Sequence, residues 1–334
     1  MTIYAIPTNV VMGFLGVGKT TAILSLLEQK PRHEKWAVLV NEFGTVGIDG
    51  AILAGQGAVV RQVPGGCLCC AVGLPFQVAI NRLLSEERPD RLLVEPTGLG
   101  HPKKTLEILR CGFFKKVLDV RASIGLVDSR KLDNPRYIEH EIFIEQIAMA
   151  DVLVANKMDL TDEAAKQRFT SVAALSEPAK SVVAQVIKGR MNPSWLDLPA
   201  NPERTAAYPD MRRHLATNSA IVKSENPEEA GLSALESGEH QGDGFYSRGW
   251  TLPKDILFDY QRLSECVSNL AFERVKGVFN TNKGWFAFNL ADSLLSVTQL
   301  LTSADNRIEV IGEKTPPNFL KRSILICAIS GECE

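Results

Sequence analysis

One short segment constrains the fold of this chain more than any other: residues 13–20, which read GFLGVGKT. It fits the pattern G-x-x-x-x-G-K-[ST], in which glycines let successive backbone N–H groups point at phosphate oxygens. An apolar run at residues 10–12 precedes the segment, and a helix-like pattern at residues 21–29 follows it. This strand–loop–helix context predicts a phosphate-binding P-loop, because the N-terminus of the following helix also favours anions.

The parts of this loop have distinct expected roles in holding a triphosphate. Lys19 should reach the β- and γ-phosphates and act in catalysis, while the Thr20 hydroxyl should bind Mg²⁺. A glycine-rich turn without a ligand is the alternative, which the flanking strand and helix patterns disfavour. The predicted nucleotide-binding residues of this segment are Gly13, Gly16, Val17, Gly18, Lys19, Thr20 and Thr21.

A second motif places a carboxylate at the end of an apolar strand. Residues 92–94 lead into Glu95, which stands at the position from which P-loop NTPases hold Mg²⁺ or its water molecules. Pro96-Thr97-Gly98 follows, so the N–H of Gly98 could sense the γ-phosphate as part of a switch loop. A buried strand that ends in Glu and a turn is common, so this motif alone leaves a plain turn open.

The motif N-K-M-D, from Asn156 to Asp159, follows another apolar run at residues 152–155. The Asp159 carboxylate can accept both the N1–H and the 2-amino group of guanine, whereas adenine would leave it unmatched. The stem of Lys157 can lie over the plane of the base. Combined with the P-loop and Glu95, these three residues predict a site for GTP and GDP.

An acidic, glycine-containing segment lies between the P-loop and the Glu95 strand. Asn41-Glu42-Phe43-Gly44 ends a candidate strand, and Asp49 lies just beyond it. Either Glu42 or Asp49 could hold Mg²⁺ or position the attacking water, and a surface loop with an acidic face is the alternative. The predicted catalytic residues are therefore Lys19, Glu42 and Glu95, and the predicted magnesium ligands are Thr20, Asp49 and Glu95.

The least common feature is Gly65-Gly66-Cys67-Leu68-Cys69-Cys70, which contains three thiols within four residues. Thiolates at Cys67, Cys69 and Cys70 suit a soft metal ion such as Zn²⁺ or Cu(I). Three thiolates leave a fourth position open, which suits metal transfer better than a permanent structural role. His101 could supply a fourth ligand or simply begin a helix, and a redox or structural role for the thiols is the other alternative.

Short apolar runs alternate with helical patterns through the first 200 residues. Several runs are apolar throughout, as in strands that are buried on both faces of a parallel sheet. The alternation predicts an α/β P-loop NTPase domain with a mainly parallel, doubly wound sheet over residues 1–200. Besides the strand before the P-loop, the predicted strands are 36–40, 58–63, 91–94, 123–127, 152–155 and 181–187, and the predicted helices are 21–29, 74–86, 103–109, 138–150 and 163–175.

The rest of the chain predicts a linker and a smaller domain. Residues 201–244 are rich in polar residues, Pro and Gly, which indicates a polar linker with one or two weak helices. Residues 245–334 predict an α+β domain whose two central strands form a hairpin around residues 281–283. Its expected strands are 249–252, 274–280, 284–289 and 307–311, with helices at 255–270 and within 317–329.

Length and charge agree with a two-domain globular protein. The chain has 334 residues, a formal net charge of −2 and 45% hydrophobic residues. The charge gives no electrostatic reason to expect nucleic acid or an anionic membrane as a partner. No apolar stretch approaches the ~20 residues that cross a bilayer. A cytoplasmic location is expected, and there the seven cysteines should be thiols or metal ligands.

Assembled in this order, the motifs resemble those of the CobW-like family of SIMIBI-class P-loop GTPases, a group of zinc metallochaperones and metalloenzyme activators. The matching pieces are GFLGVGKTT, NEFG with a following I-D, GGCLCC, EPTGLGHP, NKMD and RVKG. The resemblance implies GTP hydrolysis coupled to zinc handling, with zinc at the C-x-C-C thiols. It also implies a C-terminal domain that helps to choose a client metalloprotein or to self-associate.

Two departures from that family narrow the expectation. Many relatives carry acidic residues at the positions of Val40 and Thr45, so a metal site that relies on those carboxylates is in doubt. Many relatives also carry a His-rich stretch, whereas this chain has five histidines in all, so metal buffering by a His tract is not expected.

The leading hypothesis is a zinc-binding GTPase that uses Mg²⁺ and delivers zinc to a client metalloprotein, with zinc-dependent homo-oligomers as a further expectation. The alternatives are a nucleotide-controlled zinc sensor or storage protein, and an activator of a cobalt, iron or nickel enzyme. The Irving–Williams order keeps the last alternative open, because ligand type alone does not select one metal.

Overall fold

The computed structural model describes residues 5–41, 59–63, 74–207, 235–242, 245–291, 294–300, 303, 305–317 and 319–329. The described residues fall into two compact units, one up to residue 207 and one from residue 235 onward. In this part of the chain, no helix combines the length and the apolarity needed to cross a membrane.

A parallel sheet forms the centre of the first unit. Its strands follow the spatial order β3-β2-β4-β1-β6-β7-β8, and β5 also pairs with β1. The pairings between them are all parallel. The strands are β1 (Ile6–Gly13), β2 (Trp36–Asn41), β3 (Val59–Val63), β4 (Arg91–Glu95), β5 (Leu118–Val120), β6 (Ile124–Asp128), β7 (Val152–Asn156) and β8 (Val182–Gln185).

Helices connect these strands, as the alternating pattern predicts. They are α1 (Lys19–Gln29), α2 (Leu74–Glu87), α3 (Pro102–Arg110), α4 (Phe114–Val117), α5 (Pro135–Ile138), α6 (Glu141–Met149) and α7 (Glu163–Ala174), with 3₁₀ turns at Ser129–Lys131, Met158–Leu160 and Pro193–Asp197. Consecutive residues of β4, β6 and β7 are all buried, so both faces of the central sheet are covered. The predicted α/β fold with a mainly parallel, doubly wound sheet is confirmed.

Strand order places the sequence motifs at one edge of this sheet. β1 lies between β4 and β6, and β7 follows β6. Because the strands are parallel, their carboxyl ends meet at the same edge, where open α/β sheets bind ligands. The P-loop follows β1, Glu95 ends β4, and Asn156 ends β7.

One predicted helix, at residues 138–150, is wrong in its extent, because the structure divides it into α5 and α6. His140 occupies the N-cap position of α6, where its Nδ1 accepts a hydrogen bond from the N–H of Ile142 at 3.3 Å. A side chain that accepts from the first turn satisfies a backbone donor that has no partner within the helix. The new helix therefore begins after His140, which the apolar spacing alone did not indicate.

The second unit is an antiparallel sheet with two helices, in agreement with the predicted α+β class. The six strands follow the order β13-β12-β11-β14-β10-β9. They are β9 (Leu235–Gly242), β10 (Phe245–Leu252), β11 (Arg274–Thr281), β12 (Gly284–Ala291), β13 (Leu294–Leu300) and β14 (Asn306–Gly312), and the helices are α8 (Tyr260–Ser268) and α9 (Phe319–Leu325). Its core contains Trp250, Phe258, Phe279 and Phe288 among other apolar residues.

The second unit also contains a confirmed hairpin and two strands that the patterns did not predict. Thr281 pairs with Gly284 where β11 turns into β12, as expected. β13 is absent from the predicted strands, and β9 lies within residues 201–244, which the sequence assigns to a linker. Both strands lie at the ends of the sheet order, and β9 is polar (LESGEHQG). In β13, half-buried positions alternate with exposed ones from Leu294 to Thr298, so a strand pattern was present in the sequence and the prediction missed it.

A buried ion pair fixes the end of the first unit at the edge opposite the motifs. Arg204 donates from Nε to Asp151 Oδ1 at 2.9 Å, and the two side chains are 3% and 2% exposed. The same guanidinium donates to the carbonyls of Ala148, Pro178 and Ala179. The other carboxylate oxygen of Asp151 accepts from Ser123. This network holds the segment after β8 at the edge of the sheet opposite the motifs.

Replacing Arg204 by Met should destabilise the first unit by about 3–5 kcal/mol, because it leaves the Asp151 carboxylate buried without its cation. Native-state hydrogen exchange of the β6 and β7 amides measures this loss. Arg121→Met is the matched control, since Arg121 pairs with Asp119 and Asp197 at the surface. Its cost should stay below about 1 kcal/mol. Equal costs for the two variants would contradict this assignment.

Candidate nucleotide site

The P-loop turns sharply at Gly18, just before α1. Gly18 has φ +99°, a backbone conformation that residues with a Cβ rarely adopt. A Cβ built on it would lie 2.6 Å from Nδ2 of Asn156, so the position also lacks space for a side chain. Glycine is therefore required here for both conformation and close approach.

The Lys19 side chain folds back over the loop that precedes it. Lys19 is 5% exposed, and its Nζ donates to the carbonyls of Gly13 at 2.9 Å and Phe14 at 3.4 Å. A buried ammonium group requires oxygen partners, and these carbonyls hold it across the mouth of the P-loop. The charge therefore lies where the sequence predicts the phosphates.

Thr20 and Glu95 meet at the strand ends. The Thr20 Oγ1 donates to Oε1 of Glu95 at 3.0 Å, and Glu95 is 2% exposed at the end of β4. A hydroxyl and a carboxylate are hard oxygen ligands of the kind that Mg²⁺ prefers. This pair fits a magnesium ion held through few protein groups, as in enzymes that bind the metal together with phosphates.

The segment after β4 packs directly against the P-loop. A Cβ built on Gly98 would lie 3.0 Å from the backbone nitrogen of Leu15 and 3.1 Å from Nζ of Lys19. Gly98 therefore lies beside the ammonium group that should bind the γ-phosphate. This placement supports the predicted switch role of Gly98, which remains a prediction.

The side chain of Asn156 connects the P-loop to the loop after β8. Its Nδ2 donates to the carbonyl of Val17 at 2.9 Å, and its Oδ1 accepts from the N–H of Gly189 at 2.9 Å. A Cβ built on Gly189 would lie 2.6 Å from the Cα of Ala22 in α1. The P-loop, β7 and the loop after β8 are thus locked together by one buried amide. Gly189 is a contributor that the sequence analysis missed, since no local motif marks it.

Lys157 and Asp159 occupy the turn after β7. Lys157 has φ +61°, and its Nζ lies 3.4 Å from Oδ2 of Asp128. Asp128 ends β6, is buried, and also accepts two hydrogen bonds from the guanidinium of Arg130. Asp159 lies in the 3₁₀ turn Met158–Leu160 and is exposed to solvent, so its carboxylate is accessible to a ligand. Asp128, which the motifs did not single out, anchors the lysine.

The remaining P-loop predictions lie along the loop and the start of α1. Val17 is buried, Gly16 is half-buried, and Thr21 is exposed on the first turn of the helix. The positions Glu42, Asp49, Cys67, Cys69 and Cys70 lie outside the described residues. Within the described ranges, no group of three or more His, Cys, Asp or Glu side chains could hold a metal ion.

His101 lies at the N-cap position of α3, as the helix-start alternative expects. Its side chain does not cap the helix, however. Instead, its Nδ1 lies 2.8 Å from Oε2 of Glu145, which is buried in α6. The described contacts of His101 therefore join the end of the switch segment to a neighbouring helix.

Comparison with known proteins gives consistent matches. Residues 7–184 match the family model described as CobW/HypB/UreG, nucleotide-binding domain. The chain is 41% identical over 328 residues to zinc chaperone YeiR of Escherichia coli (strain K12), covering 95% of this chain and 97% of that protein. It is 32% identical over 185 residues to zinc chaperone CobW of Sinorhizobium sp, covering 47% and 52%.

Among solved structures, a Zn(II)-bound triple mutant of YjiA GTPase covers 97% of this chain and 99% of its own chain, at 19% identity and a TM-score of 0.43. A score of that size supports no further inference about this chain.

Gly18→Ala should lower the affinity for a GTP analogue by about 100-fold, because the added Cβ meets the Asn156 amide that holds the P-loop. Gly112→Ala is the matched control, since Gly112 also has a positive φ of 56° but nothing lies within 4 Å of its Cβ position. That control should cost about 1–2 kcal/mol of stability through backbone strain and leave binding intact. Titration calorimetry and thermal unfolding measure both quantities. Equal binding by the two variants would contradict the close-approach argument.

Proposed function

We propose that this chain, which belongs to the CobW/HypB/UreG nucleotide-binding family, is a zinc-binding GTPase that couples GTP hydrolysis to the delivery of zinc to a client metalloprotein. One observation supports the nucleotide-binding part of this proposal. Lys19, the Thr20–Glu95 pair and the N-K-x-D turn converge at the carboxyl edge of one sheet, with Asn156 bonded to the P-loop itself.

Hydrolysis follows from the charges at this edge. The Lys19 ammonium, already held across the loop by two carbonyls, stabilises charge on the β- and γ-phosphates as water attacks. Thr20 and Glu95 would hold Mg²⁺ directly or through its water molecules, and such an ion would supply further positive charge beside the phosphates. Gly98 lies beside the Lys19 ammonium, since a Cβ built on it would lie 3.1 Å from Nζ, and its N–H is proposed to sense the γ-phosphate. Glu42 and Asp49 remain proposed as additional groups that orient water or the ion.

Guanine selectivity rests on Asp159. Its carboxylate accepts N1–H and the 2-amino group, and its position in the turn is set by the buried bonds of Asn156. The ion pair with Asp128 fixes the end of the Lys157 side chain, and we propose that the lysine stem lies over the plane of the base. Adenine offers no such pair of donors, so the site disfavours ATP.

Zinc is the cargo in this proposal. The proteins named zinc chaperone YeiR and zinc chaperone CobW are relatives of this chain. The sequence supplies Cys67, Cys69 and Cys70, three thiols suited to Zn²⁺, between the P-loop and Glu95. A cytoplasmic location, a client metalloprotein and zinc-dependent self-association complete the proposal and rest on the sequence and the relatives.

Asp159→Asn should exchange guanine for xanthine specificity. An amide offers one acceptor and one donor, which match the N1–H and the 2-oxo group of xanthine but leave the 2-amino group of guanine unmatched. The affinity for GTP should fall by about 100-fold or more, and XTP should be bound and hydrolysed instead. Steady-state phosphate release with GTP, XTP and ATP measures the exchange.

Lys19→Ala is the control that separates chemistry from base choice, because it should remove hydrolysis of every nucleotide while leaving the base turn intact. Phosphate release that persists in Lys19→Ala would contradict the proposed GTPase. Unchanged preference for GTP in Asp159→Asn would contradict the proposed base recognition.

A further inference from the structure

Helix α6 holds the segment between β4 and α3 through two consecutive side chains. Gln146 donates from Nε2 to the carbonyl of Gly98 at 3.1 Å, and Glu145 Oε2 lies 2.8 Å from Nδ1 of His101. Gln146 is 3% exposed and Glu145 is 1% exposed. Both ends of the segment from Gly98 to His101 are therefore attached to buried side chains of one helix.

Internal hydrogen bonds make this segment a closed turn. The N–H of Leu99 donates to Oγ1 of Thr97 at 3.2 Å, and the N–H of Gly100 donates to the carbonyl of Thr97 at 3.0 Å. The Gly98–Leu99 peptide is therefore fixed at both ends, by Gln146 at its oxygen and by Thr97 at its nitrogen. None of these bonds uses the N–H of Gly98, and Gly98 itself lies beside Lys19, where the γ-phosphate is proposed to bind.

The same helix also packs against the P-loop. The ring of Phe14 lies 4.8 Å from the ring of His140, at the N-cap of α6, and 6.0 Å from the ring of Phe143 within it. Edge-to-face contacts at such distances fix the relative orientation of aromatic groups. α6 thus contacts both Phe14 and Gly98, and each of these residues lies close to the Lys19 ammonium.

We infer that Gln146 is a positioning residue for the γ-phosphate sensor: its amide holds the Gly98 carbonyl so that the Gly98 N–H faces the nucleotide, and this bond sets the preference for GTP over GDP. The inference rests on the proposed GTPase function and adds a residue outside the nucleotide motifs. Gln146 touches neither the phosphates nor the reacting water in this scheme, and it acts only through Gly98.

The surroundings of Gln146 indicate which substitution isolates this role. Its Oε1 is buried and has no hydrogen-bond partner within the described ranges. An apolar side chain of similar length would avoid the cost of that buried oxygen, so packing does not require an amide here. Gln146→Met therefore preserves volume while removing the bond to Gly98. Gln146→Asn, which withdraws the amide by one methylene, is the second variant should Met disturb the core.

The test compares affinities of the full chain for a non-hydrolysable GTP analogue and for GDP, both with Mg²⁺. In Gln146→Met and Gln146→Asn, the analogue-to-GDP affinity ratio should fall by about fivefold to thirtyfold, the effect of one lost buried hydrogen bond, with GDP affinity changed less than twofold. Gln29→Met is the matched control. It removes an amide-to-carbonyl bond at the exposed end of α1, from Gln29 to Met191, together with the bonds of Gln29 to Ser25, and should leave the ratio unchanged.

Two outcomes would overturn the inference, and they are distinguishable. A ratio that stays unchanged in both Gln146 variants, or analogue and GDP affinities that fall together, would make Gln146 a structural residue only, with the GTPase proposal intact. Absence of guanine-nucleotide binding by the unsubstituted chain would overturn the proposed function and this inference together.

Discussion

The buried ammonium of Lys19 is the interaction on which the rest of the site depends. A charged group that is 5% exposed needs oxygen partners close by, and the carbonyls of Gly13 and Phe14 provide them. Those carbonyls can face the ammonium only if the loop curls tightly, which requires the left-handed backbone at Gly18. In the proposed function, a triphosphate would meet a positive charge that is already in place, so little rearrangement would be needed to stabilise the charge that develops during hydrolysis.

One buried side-chain amide, that of Asn156, connects the two ends of the proposed nucleotide site. Asn156 bonds to Val17 of the P-loop at one end and to Gly189 near the base turn at the other. The P-loop and the loop after β8 are therefore joined through two buried hydrogen bonds of one side chain. On the phosphate side, α6 holds Gly98 and contacts Phe14, so the loop and the switch segment share one support. In the proposed function, this shared support would let the segment respond to the γ-phosphate, which GDP lacks.

The sequence predicted the motifs and their placement well, because each follows an apolar run that could only be a buried strand. Because β4, β1, β6 and β7 follow one another in a single parallel sheet, the P-loop, Glu95 and Asn156 lie at the same carboxyl edge. The same reasoning could not find Gly189, whose partner Asn156 lies 33 residues away in the chain. Gln146 was equally hidden, since a glutamine in a helix carries no local sign that it will be buried against a carbonyl 48 residues earlier. Such contacts are decided by long-range packing. A single sequence shows the local neighbours of a residue but not its distant partner.

If the bound nucleotide controls the affinity of this chain for zinc, as proposed, then one titration tests that coupling most directly. The zinc affinity of the full chain is measured by competition with a chromophoric chelator, once with a GTP analogue and Mg²⁺ and once with GDP and Mg²⁺. Replacement of Cys67, Cys69 and Cys70 by Ser serves as the variant that should lose zinc binding. The proposal predicts different zinc affinities in the two nucleotide states, with zinc changing the ratio of analogue to GDP affinity by the same factor. Equal zinc affinity in both states, or zinc binding that survives the triple substitution, would contradict it.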